Sequence, residues 1–184
     1  MRFTDFLRTT VVLCAGSATL LAAVTAASVA NGGADTVLLF GAAWWVVAAL
    51  IGIWAGRRAE ASPPIASLLA GARTLTSLPE VNPARTLLNR LWPLLVGTLA
   101  SGAVAFALPQ VPAVAAGFAI IWALAWRRQS SAVAAIEGRD GARFYIERTS
   151  PLKPIRLVRT PGFRSNLFEL NGAAGRAPGV RPRV

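Results

Sequence analysis

The chain has no histidine, one cysteine, one methionine and one tyrosine among its 184 residues, and only eight residues are acidic. Each shortage excludes something. Without histidine, the side chain most often used for proton transfer near neutral pH is missing. Cys14 alone cannot complete a Cys/His zinc site, and a single cysteine forbids an intrachain disulfide. The acids Glu60, Glu80, Glu137, Asp140, Glu147 and Glu169 are scattered among arginines, where solvated ion pairs are the default state. No catalytic, cofactor or metal site is therefore expected, and the chain reads as a non-enzyme.

Charge as a whole is also scarce. Only 15% of residues are charged and 54% are hydrophobic, whereas a water-soluble domain carries about a quarter charged residues. The apolar residues are bunched into four blocks, Thr10–Ala30, Thr36–Gly56, Leu91–Leu108 and Val111–Trp126. A helix crossing the bilayer needs about 20 apolar residues. The first two blocks reach that length, the third is adequate, and the fourth is slightly short, so a thin or tilted arrangement is expected. The expected fold is an all-α membrane protein with four transmembrane helices in two antiparallel hairpins, followed by a small cytoplasmic β-meander.

Orientation follows from what is present in excess. All 19 lysines and arginines fall on one side of the four blocks, and the connections Asn31–Asp35 and Pro109–Gln110 hold none. Basic residues resist translocation, so that side is the cytoplasm. Both termini are expected there, in a bacterial-type cytoplasmic membrane. Trp54, Trp92, Trp122 and Trp126 sit near the same ends, as expected of a tryptophan belt at headgroup level. Trp44 and Trp45 lie deeper and are expected to pack between helices. A competing reading treats residues 1–30 as a cleaved secretory signal, with Ala27-Ser28-Val29-Ala30 as the cleavage site. Its apolar run is longer than the usual ~7–15 residues, so retention of the segment is the expectation.

Five segments follow. Residues 1–56 hold a short amphipathic segment, with Phe3, Phe6 and Leu7 on one side, and the first hairpin. Residues 57–90 form a cytoplasmic amphipathic loop: Ser62-Pro63-Pro64 can start a helix, and Ile65, Leu68, Leu69, Ala72, Leu75 and Leu78 recur at helical spacing. A second short helix is expected to begin at Asn82-Pro83, with Pro93 bending the entry to the third span. Residues 91–128 are the second hairpin. Residues 129–170 form a small basic segment with strands at Ala132–Ile136, Arg143–Glu147 and Ile155–Arg159; it is too small to stand alone and should dock on the loop, the membrane or a partner. Residues 171–184 are a disordered basic tail.

An internal match runs through this plan. Trp54-Ala55-Gly56-Arg57-Arg58 resembles Leu124-Ala125-Trp126-Arg127-Arg128, and Gly71-Ala72-Arg73 recurs as Gly141-Ala142-Arg143. A duplication would require the two copies to share a fold, which conflicts with a helix over 65–78 and a strand over 143–147.

Two features bear on function. Gly52 and Gly56 form a GxxxG that lets helices approach closely, either within the bundle or between copies. The basic surface Arg57, Arg58, Arg127, Arg128, Arg143, Arg148, Lys153, Arg156, Arg159 and Arg164 suits anionic headgroups of the inner leaflet or a membrane or cytoplasmic protein partner. Nucleic acid ranks well behind, because a membrane-bound chain already owes positive charge to its topology. The expected role is an accessory or scaffold protein. The alternative is a small oligomeric transporter or channel, although ion-coupled carriers place ionisable groups inside the membrane and these spans offer only hydroxyls and Cys14.

Overall fold

The computed structural model describes residues 1–32, 35–57, 60–74, 82–105, 107–147 and 155–161. The elements are α1 (Phe3–Gly32), α2 (Asp35–Ala55), α3 (Pro63–Ala70), β1 (Arg73–Thr74), α4 (Pro83–Val104), α5 (Gln110–Trp126), α6 (Gln129–Asp140), β2 (Ala142–Ile146) and β3 (Leu157–Pro161). Four helical segments are long and apolar enough to cross a membrane: Phe3–Ala30, Thr36–Ala55, Pro83–Val104 and Gln110–Asp140. The last of these joins α5 to α6.

α5 is the centre of the bundle, packed between α1 and α2. Small side chains make this position tenable, since the buried face of α5 is Pro112, Ala113, Ala116, Gly117, Ala119 and Ala123. α1 meets it with Cys14, Ala18, Leu21, Thr25 and Val29, spaced by three or four residues and so on one helical face. The Thr25 hydroxyl, fully buried, donates to the Leu21 carbonyl at 2.8 Å, so its burial leaves no polar group unpaired. α2 runs parallel to α5: Gly41 lies against Ala113, and Gly52 against Ile121 and Leu124. α4 is the outlier, with no buried residue along its length.

α1 is longer than a span requires. Its 30 residues extend about 45 Å at 1.5 Å per residue, against an apolar slab of ~30 Å. The surplus lies at its N-terminal end, where Phe3, Phe6 and Leu7 join Ile65, Val133, Phe144, Ile146 and Leu157 in one buried cluster. The amphipathic start is thus not a separate interfacial helix. It is the first part of α1, and it forms the middle of an α/β module capping the basic end of the bundle.

The sheet of that module departs from the expected meander. Its order is β1-β3-β2, with β1 parallel and β2 antiparallel to β3. β1 comes from the 57–90 loop, so the C-terminal strands dock on that loop through a sheet rather than by surface contact. Met1 and Arg2 lie along the far edge of β2, where the Ile146 N–H donates to the Met1 carbonyl at 3.2 Å and Arg2 bridges Tyr145.

The expected strand 132–136 is instead part of α6. Ala132 and Val133 are buried and Ile136 packs on the same core, a helical spacing that the short apolar run concealed. Gly141 ends α6 in the left-handed region at φ 59°, a conformation open to glycine without a Cβ penalty. The Glu137 carboxylate then accepts from the Phe144 N–H at 2.9 Å, fixing the turn from α6 into β2.

Two further expectations change. The amphipathic helix from Pro63 stops at Ala70 rather than running to 78, because the backbone at Arg73–Thr74 is taken into pairing with β3; Leu75 and Leu78 lie outside the described residues. No second short helix precedes the third span, since Pro83–Val104 is one helix with Pro93 inside it. Its start is as the sequence implies: the Asn82 side chain accepts from the Ala84 N–H at 3.1 Å, with Pro83 in the first turn.

These changes remove the conflict within the internal match. Each half now reads two long helices, a short helix, a glycine and a strand: α1, α2, α3, Gly71, β1, then α4, α5, α6, Gly141, β2.

Candidate functional site

The residues that could engage a partner lie at the basic end. Arg57 follows α2, and Arg127 and Arg128 link α5 to α6; all three are exposed. The Arg128 guanidinium donates to the Arg57 carbonyl at 3.2 Å, tying the ends of α2 and α5 together. A second tie lies beside it. The Gln129 side chain, 7% exposed, accepts from the Ser62 N–H at 3.0 Å and so fixes the start of α3 to the start of α6. Gln129→Ala is expected to lower stability by about 1–3 kcal/mol, because it strands a part-buried donor. Thermal unfolding in detergent measures it, and a shift indistinguishable from zero would show that water replaces the bond without loss.

The sheet divides the remaining arginines. Phe144 is opposite Arg159, and Arg143 is opposite Thr160. Opposed residues share a face and neighbours alternate, so Arg143 and Arg159 emerge on opposite sides. Arg159 shares the side of Phe144 and lies near Asp140. Asp140 is held below the ordinary carboxylate range, first by its hydrogen bond with Arg139 and further by the charge of Arg159. The Arg139–Asp140 pair is 2.8 Å apart. Arg143 emerges on the other side, as does Arg73, which is in register with Val158. Arg73 and Arg143 flank β3, two strand spacings apart and offset by two residues along the strand, about 12 Å in all, and both are exposed. Arg156 is exposed just before β3. Arg58, Arg148, Lys153 and Arg164 lie outside the described residues.

Arg73 is missing from the basic set proposed on sequence alone. The signal for it was the Gly-Ala-Arg match, whose two arginines stand on the two strands that flank β3. Charge density could not reveal this, since Arg73 lies far from the C-terminal cluster in the chain.

No protein-family model, curated protein or solved structure matches the chain. Function therefore rests on the geometry. Among the described residues, no group of three or more Cys, Asp or Glu side chains is placed to hold a metal ion.

The glycines of the GxxxG face inward. A Cβ at Gly52 would lie 2.8 Å from the Leu124 Cβ and 3.2 Å from the Ile121 backbone, and one at Gly56 would meet the Leu124 carbonyl. Nearer the other end of the bundle, the Trp45 indole donates to the Ala113 carbonyl at 2.8 Å and the Trp44 indole to the Val114 carbonyl at 3.1 Å. Trp44 lies over Gly117, where any side chain would collide with its ring.

Proposed function

We propose that this chain is a four-span protein of a bacterial-type cytoplasmic membrane, with both termini in the cytoplasm. In this reading it is a non-enzymatic accessory or scaffold protein that presents a basic α/β surface to an acidic protein partner or to anionic lipid. One observation carries the reading: the module at the basic end is built from α1, the 57–90 loop and the C-terminal strands around one shared core. A chain that needed arginines only for topology could place them in loops. Here Arg73 and Arg143 project from one face of a sheet and Arg159 from the other, with Arg156 just before β3, which gives them fixed spacing.

The orientation is tested with reporters. A cytoplasm-active reporter fused after Val184 should be active, and a periplasm-active reporter inserted between Gly32 and Asp35 should be active too; the reverse pattern would overturn the topology. Retention of residues 1–30 accords with the contribution of Phe3, Phe6 and Leu7 to the core, and the intact mass of the purified protein should include them.

The role is tested by crosslinking in cells, followed by purification in mild detergent, for the wild type and for Arg73→Glu/Arg143→Glu/Arg159→Glu. A stoichiometric partner or anionic lipid should be recovered with the wild type and lost from the charge-reversed chain. Identical recoveries from the two chains would end the proposal. Recovery of the protein alone, as a defined homo-oligomer, would move the assignment to transport.

A further inference from the structure

We infer that one anionic phospholipid is held with an acyl chain in the groove between α1, α4 and α5 and its phosphate at Arg90. The inference rests on the membrane placement and orientation proposed above and is independent of the scaffold role. The groove has a volume of about 300 Å³ and is walled by Cys14 and Leu21 of α1, Leu94 and Gly97 of α4, and Phe118 and Trp122 of α5. Its lining on α4 runs from Pro93 to Ser101, which is about 12 Å at 1.5 Å per residue. That is close to the depth of one leaflet in a hydrocarbon core of ~30 Å.

The groove is also open where a helix interface would be closed. A Cβ at Gly97 would meet no atom within 4 Å, so this glycine is not required for any contact between helices. α4 buries no residue against its neighbours, and packing among the protein's own helices leaves this space unfilled. An empty apolar groove in a bilayer fills with what surrounds it, and that is lipid.

Charge selects which lipid. Arg90, Leu94, Gly97 and Ser101 are separated by four, three and four residues and so lie on one face of α4. Arg90 stands one turn beyond the groove toward the basic end, at the level where an inner-leaflet phosphate would sit. Its guanidinium offers five donors in a fork matched to phosphate oxygens, enough for a phosphate alongside a contact within the chain. Trp92, 47% exposed, lies two residues from Arg90 on α4, where an amphipathic ring favours the headgroup boundary.

The test uses the full chain in nanodiscs of equimolar phosphatidylglycerol and phosphatidylcholine with identical acyl chains, read by native mass spectrometry. The wild type should retain one phosphatidylglycerol. Gly97→Leu projects into the groove from a position where the new Cβ meets no atom within 4 Å, and should lower retention at least several-fold while leaving the unfolding temperature near that of wild type. Ser101→Leu is the second plug, should the first fail to fold. Arg90→Gln should keep a bound lipid but reduce the preference for phosphatidylglycerol about fivefold, the weight of one basic residue near an anionic headgroup. Added glycerol phosphate should not displace the lipid, because it lacks the acyl chain. Unchanged retention in a folded plugged variant would overturn the groove, and unchanged selectivity in Arg90→Gln would overturn the phosphate contact. Arg143→Glu/Arg159→Glu should leave in place the one phosphatidylglycerol that Gly97→Leu displaces and remove only lipid that Gly97→Leu leaves bound, which separates this outcome from that of the scaffold proposal.

Discussion

Leu7→Ala is expected to destabilise the module at the basic end by about 2–5 kcal/mol, the range for truncating a fully buried leucine. Leu7 has no exposed surface and lies in the same cluster as Phe3, Ile65, Val133, Ile146 and Leu157. These residues come from α1, α3, α6, β2 and β3, so one cavity is felt by every element that contributes to the core. Limited proteolysis in detergent should show new cleavage within residues 60–74 and after residue 128, while the long helices stay intact. Leu20→Ala is the control. Leu20 lies on the same helix, 54% exposed and facing the apolar surroundings, and its truncation should cost less than about 1 kcal/mol, since no packed cavity is left. Equal effects at positions 7 and 20 would mean that the N-terminal end of α1 is not a core element.

The four long apolar helices were legible because apolar block length is a strong signal that does not depend on tertiary contact. The start of α4 was legible for a local reason, as Asn82-Pro83 contains its own cap. The module at the basic end was far less so. Ala132–Ile136 is a short apolar run, and whether such a run becomes a strand or a helix face depends on its neighbours. Its position beside the N-terminal end of α1, more than a hundred residues away, decides for the helix. Arg73–Thr74 carries almost no strand signal by itself; it pairs because β3 offers an open edge. The spacing of Ile65, Leu68 and Leu69 marks one helical face, but only the structure shows that its partner is a core within the chain. Among the candidate site residues, the positions of Gly52 and Gly56 were clear from spacing, while the division of Arg143 and Arg159 between two faces required the register of β2 with β3.

The second large effect is expected at those glycines. In Gly52→Leu the new Cβ falls 2.8 Å from the Leu124 Cβ and 3.2 Å from the Ile121 Cα and carbonyl oxygen. In Gly56→Leu it meets the Leu124 carbonyl, with the Ala125 Cα at 3.3 Å. Most of these atoms are backbone in the middle or last turn of α5, and none is the free end of a flexible side chain. Relief therefore requires α2 to move away from α5. Overpacking of this kind typically costs about 1–3 kcal/mol per site, and the two sites share one interface, so the double variant should lose the α2–α5 contact. Separation would also remove the Trp44 and Trp45 hydrogen bonds to α5, each an indole donor that, in the proposed membrane placement, has no water to replace its partner. Unfolding by denaturing detergent, followed through tryptophan fluorescence, should show the loss, while Gly16→Leu should be near neutral because a Cβ there meets nothing within 4 Å. The same experiment separates the two roles of the GxxxG. If the motif joined two copies, Gly52→Leu would change the oligomeric state and leave the monomer's stability intact. With the glycines seated on Ile121, Leu124 and Ala125, the expected result is the opposite: the monomer weakens, and the oligomeric state of the surviving folded fraction is unchanged.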